Sequence, residues 1–428
     1  MAGAADVVVA GGSAAGLLTA FALATSGARV LVLERSADPG GRAGVGEPFV
    51  PQAGHAHTVT SAGVTLLRQH APVVLDALSA AGAHVLTAHA DDGLPALACR
   101  RTTFDRVLRG IVREVPGVEV RHGTAVRGLT LDPTRRRVTG VVSDDGPAAA
   151  GAVVDATGTR ARSVAWLSAA GAPTPTDWTR PSDLLGFTRF YRGPSGPLNR
   201  GHGAGGVWDH FAGVVHPGDG DSFSVSLGVL PTDPVLGALR HEPAFTAAAR
   251  ATPWVRDWLS GPITPISPVR AMSSPPNVLR SPVPVHGLHL VGDAACTTNA
   301  LLGRGISMAI AHAFRLAASL PDDTAHEFSE PWYRHAVRWD RERVARWTAV
   351  LNGRSVPLSP LWRVDSAART DPKVRRVLAR VLMGTDSPES LDEEWLVARA
   401  RDAPPAPYDG PTRGDLVRAV HRVEEVRT

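Results

Sequence analysis

Residues 6–35 constrain the fold of this chain more than any other stretch. Residues 6–10 are a short apolar run of strand type, and the glycine-rich segment 11–16 turns the chain sharply. Residues 17–26 have helical composition, and residues 29–33 form a second apolar run. This order predicts a βαβ unit in which the N-terminus of the helix binds a pyrophosphate, because its N–H groups and dipole attract an anion.

An acidic residue ends the second strand and indicates which nucleotide fits. Glu34 stands where a carboxylate accepts a hydrogen bond from a free ribose hydroxyl and repels a 2′-phosphate. FAD or NAD therefore fits, and NADP does not. Ser13 replaces the second glycine of the usual pattern, but its small side chain still lets the backbone approach a phosphate. The predicted nucleotide-binding residues of this unit are Gly11, Gly12, Ser13, Ala14, Ala15, Gly16, Glu34 and Arg35.

Composition and charge exclude several classes of protein. Of the 428 residues, 43% are hydrophobic and 20% are charged, which is enough apolar material for two or three packed regions. The net charge of +4 is small and dispersed, so no nucleic-acid partner is expected. The sequence has no signal-peptide pattern and no apolar run of about 18 residues, which predicts a cytoplasmic protein without a transmembrane segment.

Metal and disulfide chemistry are not expected. Cys99 and Cys296 are the only cysteines, too few for a disulfide framework or a cysteine-based zinc site. His55 and His57 are spaced by two residues, as in a metal pair carried on a strand, but no third ligand cluster lies near them in the sequence. Both histidines are therefore interpreted as loop residues, and their role stays open at this point.

A second glycine turn far along the chain favours a flavin over a nicotinamide. Residues 285–291 are an apolar strand, residues 292–305 are a glycine-rich turn, and a helix follows from Ile306. Asp293 is placed to accept hydrogen bonds from the hydroxyls of a ribityl chain. The backbone amides of Gly303, Gly305 and Ile306 lie at a helix start, where they stabilise negative charge. Two nucleotide-facing turns suit FAD, which spans both. Gly292 and Gly158, each after a strand, are also assigned to this site.

These elements predict an α/β fold with an inserted domain. A Rossmann-like FAD-binding domain takes residues 1–180 and 276–325. Residues 181–275 contain strand-like runs separated by Gly- and Pro-rich loops, which predict an antiparallel substrate-binding sheet. Residues 326–428 predict a C-terminal helical cap that packs its indoles inward, from Trp332, Trp339 and Trp347.

The sequence also predicts individual helices, strands and loops around the site. Residues 62–81 and 103–114 are predicted as single helices, and residues 243–259 as a helical stretch. A β-meander is predicted from residues 118–121, 125–131, 138–143 and 152–156 as it returns to the parallel sheet. The predicted strands of the inserted domain are residues 184–192, 206–215 and 222–230. Residues 35–51 and 201–206 are loops, and four aromatic residues of the inserted domain are predicted to form an apolar wall for the substrate: Phe187, Phe190, Tyr191 and Trp208.

Three motifs together resemble a known family. They are Val-Pro-Gln-Ala-Gly-His-Ala-His at residues 50–57, Asp-Ala-Thr-Gly at residues 155–158 and the turn at residues 292–305. They resemble the flavoprotein monooxygenases of the para-hydroxybenzoate hydroxylase fold, and within that superfamily the squalene-epoxidase-like and bacterial polyether epoxidases. Ala300 departs from the family pattern, which has proline after the asparagine.

The resemblance implies roles for individual residues. Arg101, before the helix at residues 103–114, would lie beside the FAD phosphate or ribityl chain, and Val126 would meet the adenine through its backbone. The candidates that line the reaction space are Asn299, Gly303 and Arg304 on the flavin side and His57 opposite. The family's Asp-Gly motif, which is tied to NADPH use, is not cleanly present at residues 155–158, so the electron source is open between NAD(P)H and a separate flavin reductase.

The resemblance also implies a reaction. Reduced flavin captures O2 as a C4a-(hydro)peroxide and passes one oxygen atom to an apolar alkene or aromatic natural-product intermediate, by epoxidation or hydroxylation. The strongest alternative is an FAD-dependent dehydrogenase or reductase that inserts no oxygen. A flavin halogenase fits less well, because its Trp-x-Trp-x-Ile-Pro motif is missing and Lys373 is the only lysine. A catalytically silent FAD-binding protein is the third alternative.

Overall fold

A computed structural model describes residues 5–38, 51–87, 93–194, 205–320 and 325–425. The strands among them are β1 (Val7–Ala10), β2 (Val30–Glu34), β3 (His84–Thr87), β4 (Pro95–Ala98), β5 (Val118–His122), β6 (Val126–Leu131), β7 (Val138–Ser143), β8 (Gly146–Ala149), β9 (Ala152–Asp155), β10 (Asp177–Arg180), β11 (Leu185–Arg192), β12 (Gly205–Val207), β13 (Ala212–Pro217), β14 (Ser222–Val229), β15 (Thr264–Pro265), β16 (Arg270–Ser273), β17 (Asn277–Arg280), β18 (Leu288–Leu290) and β19 (Cys296–Thr297).

Helices alternate with these strands and also form most of the last hundred residues. They are α1 (Ala14–Thr25), α2 (Ser61–His70), α3 (Pro72–Ala80), α4 (Arg101–Arg113), α5 (Arg162–Ala169), α6 (Glu242–Ala251), α7 (Val255–Trp258), α8 (Gly305–Ala318), α9 (Ala325–Leu351), α10 (Pro360–Ala368), α11 (Pro372–Leu382), α12 (Glu394–Asp402) and α13 (Arg413–Glu425). None of the helices in the described ranges combines the length and apolar character needed to cross a membrane.

A five-stranded parallel sheet is the frame of the cofactor domain. Its strand order is β18-β9-β1-β2-β5, and every neighbouring pair is parallel. Valine and leucine predominate in the central strands of this sheet. Other elements cover both faces of the sheet, as is usual for parallel sheets, so the side chains on both faces are buried. Helices α1, α4 and α8 pack on one face, while the antiparallel meander β6-β7-β8 packs on the other. This topology brings the turns after β1, β9 and β18 to the same edge of the sheet.

The inserted domain is an antiparallel sheet with strand order β12-β13-β14-β11-β15, and β16 also pairs with β11. One face of this sheet packs against α6, α7 and α13 through a core of aromatic and aliphatic side chains. The last helix therefore returns to the inserted domain, a packing that the sequence did not predict. Helices α9 to α12 form a separate apolar cluster with β17 and β19.

Several local predictions were wrong in their boundaries. The predicted helix 62–81 is two helices, α2 and α3, because Pro72 begins a new helix after Ala71. The stretch 243–259 is likewise split into α6 and α7 around Pro253, and the strand predicted at residues 206–215 is a hairpin of β12 and β13. Strand β5 extends the parallel sheet instead of the meander. Helices α10 and α13 and the small sheet β10-β17-β19 were not predicted.

Two predicted loops fall partly outside the described residues. Of the loop predicted at 35–51, residues 39–50 lie outside, including the first residue of the motif at residues 50–57. Of the loop predicted at 201–206, residues 201–204 lie outside.

Candidate active site

The turn between β1 and α1 is a close-packed glycine turn. Gly11 has φ +111°, and a Cβ there would lie 2.6 Å from the carbonyl oxygen of Ala156 on the neighbouring strand end. A Cβ on Gly16 would lie only 1.9 Å from the carbonyl oxygen of Gly11. Only glycine permits both approaches. Helix α1 begins directly after this turn with no acidic residue in its first turn, so its free N–H groups present positive potential for an anion.

Arg101 adds a full positive charge to this turn. Its guanidinium donates a hydrogen bond of 2.8 Å to the Ser13 hydroxyl and another of 2.8 Å to Asp105, and the residue is only 6% exposed. Arg101 is the first residue of α4 and does not lie before the helix as predicted. A buried arginine fixed beside a helix N-terminus is an arrangement suited to a pyrophosphate.

Glu34 closes the turn from the side of β2. Its carboxylate accepts hydrogen bonds from the N–H groups of Gly12, at 2.7 Å, and Ser36, at 2.8 Å. The N–H of Thr124 donates to the Glu34 carbonyl oxygen at 3.0 Å, which brings the start of β6 at Val126 to the end of β2. A carboxylate has about four acceptor positions, so two are left for ribose hydroxyls. Arg35 is exposed.

The turn after β9 lies between the other two turns. The Asp155 carboxylate accepts hydrogen bonds from the backbone N–H groups of Thr157 and Ser163, each at 2.8 Å. Gly158 has φ +79°, and a Cβ there would meet open space. Arg280 donates to the carbonyl oxygens of Thr159, at 3.3 Å, and Ala294, at 2.8 Å, and so joins this turn to the turn after β18.

The turn after β18 reaches the first turn of α1. Gly292 has φ +59°, and a Cβ there would lie 2.8 Å from Cβ of Ala15. The N–H of Gly292 donates to Nδ1 of His312 at 3.0 Å, and Nε2 of His312 is 2.8 Å from the Ser329 hydroxyl. Burial lowers the pKa of His312 to about 4, so the ring is neutral at physiological pH and its Nδ1 can accept. The two glycine turns therefore converge.

Asp293 follows directly and is the acidic group of this second turn. Burial raises the pKa of its carboxyl, and the charge of Arg101 acts in the opposite direction. Among the residues that the structure describes, none donates a hydrogen bond to this carboxylate. The side chain is half-buried. A half-buried carboxylate with no donor among the described residues is free to accept hydrogen bonds from a ligand that brings hydroxyl groups.

Asn299 is held in a buried polar network. Its side-chain oxygen accepts from the N–H of Leu301 at 2.8 Å, and its amide group donates to Asp340 of α9. Asn277 donates to the other oxygen of Asp340 at 2.7 Å and accepts from the N–H of Asn299 at 2.8 Å. Burial raises the pKa of Asp340, while Arg343 beside it acts in the opposite direction. The Asn299 side chain thus fixes its turn and points towards α9.

The start of α8 places Gly303 and Arg304 differently. Gly303 has φ +65°, and a Cβ there would lie 3.8 Å from Cβ of Thr58, so this backbone faces the segment that carries His57. The Arg304 side chain is buried against α9, where its guanidinium lies 4.8 Å from the ring centre of Trp332 and donates to Nδ1 of His335 at 3.3 Å. Burial lowers the pKa of Arg304 to about 10. Gly305 is the first residue of α8, and Ile306 after it is buried.

His57 lies across from this helix start. Its Nδ1–H donates to the carbonyl oxygen of His55 at 2.9 Å, so the neutral ring has a bare Nε2. Burial, assisted by the charge of Arg101, lowers the pKa of His57 to about 3. The segment is attached to α8 because both the N–H and the hydroxyl of Thr60 donate to the Ser307 hydroxyl at 2.9 Å.

The predicted apolar wall is not arranged as expected. Phe187, Tyr191 and Trp208 are buried in the core of the inserted domain, on the side of α6, whereas Phe190 is half-buried and lies on the other face of β11 by strand alternation. Strand alternation places Thr188 on the opposite face of β11, where its hydroxyl is 3.1 Å from Nδ1 of His55. This is the face that meets the cofactor domain.

Most of the residues predicted to bind the nucleotide lie close together, but the residues that hold them in place were not predicted. The turn at residues 11–16, Glu34, Arg101, Gly158 and Asp293 surround one region. His312, Ser329, Asn277, Asp340 and Arg280 were not predicted, because no motif marks a buried histidine or an aspartate within an arginine-rich helix. No group of three potential metal ligands occurs in the described part of the chain.

Comparison with known proteins agrees with this geometry. Residues 6–182 match the family model described as FAD dependent oxidoreductase. No curated protein sequence is significantly similar to the chain.

The solved structures that are similar to this chain over most of its length include the following three. The flavin-dependent brominase Bmp2 is 17% identical, with a TM-score of 0.65 over 93% of this chain and 97% of that chain. The anhydrotetracycline hydroxylase OxyS from Streptomyces rimosus is 19% identical, with a TM-score of 0.58 over 89% and 76%. The Diels-Alderase PyrE3 of pyrroindomycin biosynthesis is 21% identical, with a TM-score of 0.58 over 89% and 80%.

Identities this low show that the fold is shared, but they do not show that the reaction is shared. The chain has the FAD-binding α/β fold of the para-hydroxybenzoate hydroxylase type, and its residues 6–182 match the family model of the FAD dependent oxidoreductases.

Proposed function

We propose that this protein is an FAD-dependent monooxygenase that inserts one oxygen atom from O2 into a small organic substrate. The observation that carries the proposal is the convergence of the two glycine turns at Ala15, with Arg101 between them and with Asp293, whose carboxylate has no donor in the described part of the chain. NAD and other simple nucleotides need only the first turn, whereas FAD needs both.

The residues of the site fit FAD from end to end. Glu34 and the backbone near Val126 would hold the adenosine, and the turn at residues 11–16 with Arg101 would hold the pyrophosphate. Asp293 would accept from the ribityl hydroxyls. The amides of Gly303, Gly305 and Ile306 would face the pyrimidine end of the ring, where the dipole of α8 favours negative charge. When bound, the flavin supplies the redox chemistry that activates O2.

The protein itself positions the substrate and excludes water from the flavin. Leu301 packs against Gly228 of the inserted sheet. A Cβ added to Gly228 would lie 3.7 Å from Cδ2 of Leu301, which is ordinary van der Waals contact. The segment of His55 and His57 closes another side through its bond to Thr188. The bare Nε2 of His57 is the acceptor for a proton from a reacting hydroxyl group. Asn299 and Arg304 act through the turn they fix, since both side chains contact α9.

Two features of the proposal rest on resemblance. The squalene-epoxidase-like pattern at residues 50–57 suggests epoxidation or hydroxylation of an alkene or an aromatic ring in a natural-product pathway. NAD(P)H or a separate reductase would provide the electrons. The brominase neighbour does not favour a halogenase, because Lys373 is an exposed residue of α11.

Anaerobic reduction followed by exposure to O2 tests the proposal. We expect purified yellow protein to bleach with NADPH, NADH or a reductase system, and to regain its colour within seconds in air with release of hydrogen peroxide. A reduced protein that stays bleached in air identifies a dehydrogenase and contradicts oxygen insertion. A protein whose bound FAD no reductant reduces is a catalytically silent FAD-binding protein.

A further inference from the structure

The face of the inserted sheet that meets the cofactor domain carries a row of polar side chains. Thr188 of β11 is paired across the strands with Ser226 of β14 on one side and with Arg270 of β16 on the other. Residues paired in this way point to the same face of a sheet. His55 contacts this row through Thr188, so the row lies beside the candidate reaction space.

The two hydroxyl groups of the row are within hydrogen-bond distance of each other, and one of them is also within this distance of His55. The Thr188 hydroxyl lies 2.9 Å from the Ser226 hydroxyl and 3.1 Å from Nδ1 of His55. Either direction of this hydrogen-bond chain is possible for neutral groups, because each hydroxyl donates once and accepts. When Ser226 donates to Thr188 and Thr188 donates to Nδ1, the proton of His55 is on Nε2. The ring then offers an N–H to a ligand.

Arg270 gives the row its charge. Its side chain packs against Gly54, since a Cβ added to Gly54 would lie only 2.6 Å from Cδ of Arg270. Its charge also reaches His55, whose pKa is lowered to about 4 by burial first and by Arg270 second. Arg270 is half-buried and has no carboxylate partner among the residues that the structure describes. An arginine is always charged in proteins, and a half-buried positive charge without a counter-ion attracts an anionic ligand.

We infer that Arg270, His55, Thr188 and Ser226 form a subsite for an ionised oxygen of the substrate, either a carboxylate or a phenolate. Arg270 contacts the oxygen, and Thr188 and Ser226 hold His55 in the orientation that donates to it. This inference rests on the proposed function and narrows its substrate class. It gives a polar subsite to the face of β11 that also carries Phe190, while Phe187 and Tyr191 of the expected apolar wall face the opposite side.

Calorimetric titration of the purified protein with matched aromatic probes tests the subsite. Benzoate is compared with its neutral isostere nitrobenzene, and 4-nitrophenolate with 4-nitroaniline. We expect the wild type to bind at least one anion about tenfold more tightly than its neutral match, because hydrogen bonds to charged groups are the stronger ones. Preference in the first pair indicates a carboxylate, and preference in the second a phenolate.

Substitutions assign the preference to the row. Arg270→Met keeps the methylenes that cover Gly54 and should abolish the preference, whereas Arg270→Lys keeps the charge and should retain most of it. Arg192→Met is the matched control, since Arg192 is an exposed arginine farther along β11. Thr188→Val should weaken anion binding less than Arg270→Met does, because it removes only the hydroxyl that orients the His55 ring.

The results separate this inference from the proposed function. A wild type that binds no probe, that shows no preference for the anion, or whose preference survives Arg270→Met overturns the subsite. The FAD content of the same sample, measured by absorbance, reports on the flavin site independently. Protein that contains FAD but lacks the preference loses only the subsite. Protein that cannot bind FAD loses the proposed function.

Discussion

The turn after β1 and the turn after β18 meet at Ala15, yet they are held by different kinds of contact. The first turn is fixed by close backbone packing, because Gly11 against Ala156 and Gly16 against Gly11 leave no room for a side chain. The second turn is fixed by side chains: His312 of α8 holds Gly292, and Asp340 of α9 holds Asn299. The spacing of glycines in the sequence thus marks the first half of a dinucleotide site, while the second half depends on side-chain contacts that no motif marks.

The buried network of the second turn should have the largest effect on stability. Asp340→Ala leaves the amides of Asn277 and Asn299 without their acceptor and leaves the buried Arg343 without its carboxylate. We expect the free energy of unfolding to fall by about 3–5 kcal/mol, as when one partner of a buried ion pair is removed. Denaturant unfolding measures this loss. Asp144→Ala, which breaks an exposed pair with Arg127, is the control and should change little. Equal losses would contradict the role of the network.

Low pH should weaken the second turn more than the first. The pKa of His312 is about 4 in the folded protein and 6.5 when exposed, so the unfolded chain binds the proton first as the pH falls. Stability from this residue is therefore complete above pH 6.5 and is lost as the pH approaches 4, by up to about 3 kcal/mol. Melting temperatures of the wild type and His312→Gln across this range test the prediction. Parallel curves for the two proteins would exclude His312 as a source.

The first turn should respond to a single methyl group. Gly16→Ala places a Cβ against the carbonyl oxygen of Gly11, so the phosphate cradle must open. We expect the Kd for FAD to rise by about 100-fold, or about 2.7 kcal/mol. Gly110→Ala in α4, where a Cβ meets nothing within 4 Å, is the matched control and should bind FAD normally. Unchanged FAD affinity in Gly16→Ala would remove the first turn from the site.

The smallest effect is expected at the ribose end of the first turn. Glu34→Gln keeps the shape of the side chain but turns an N–H group towards the donors of Gly12 or Ser36. We expect about tenfold weaker FAD binding, or about 1.4 kcal/mol, measured by titration of the apoprotein. Glu119→Gln on the neighbouring strand β5 is exposed and serves as the control. A variant that binds as tightly as the wild type would show that Glu34 does not contact the ribose.

The sequence predicted the first turn well because its glycines and its acidic residue belong to one local motif, although Ala156 and Arg101 also contact the turn. Gly11, Gly16 and Glu34 lie within one βαβ unit, and their spacing alone defines the geometry. The sequence could not reveal that Asp340 holds Asn277 and Asn299, because these partners are 63 and 41 residues apart in the chain. Arg304 and Asn299 were predicted from the turn that carries them, but their side chains are directed by α9.

Two other errors have simple physical causes. Pro72 divides the predicted helix 62–81 into two helices. The leucines of this segment nevertheless continue along one apolar face across the break. In β11, Phe187 and Tyr191 share one face and Thr188 the other, as strand alternation requires. The prediction grouped Phe190 with Phe187 and Tyr191 in one wall, which this alternation does not allow. Which face of β11 packs on α6 depends on a helix that follows later in the chain.

The central claim is that two separate turns bind one FAD molecule. Calorimetric titration of the apoprotein with FAD and with FMN, which lacks the adenylate half, tests it most directly. The account predicts one FAD per chain and FMN binding at least about 100-fold weaker, because FMN cannot reach Glu34 and the turn at residues 11–16. Equal affinity for the two flavins, or no binding of FAD, would contradict it.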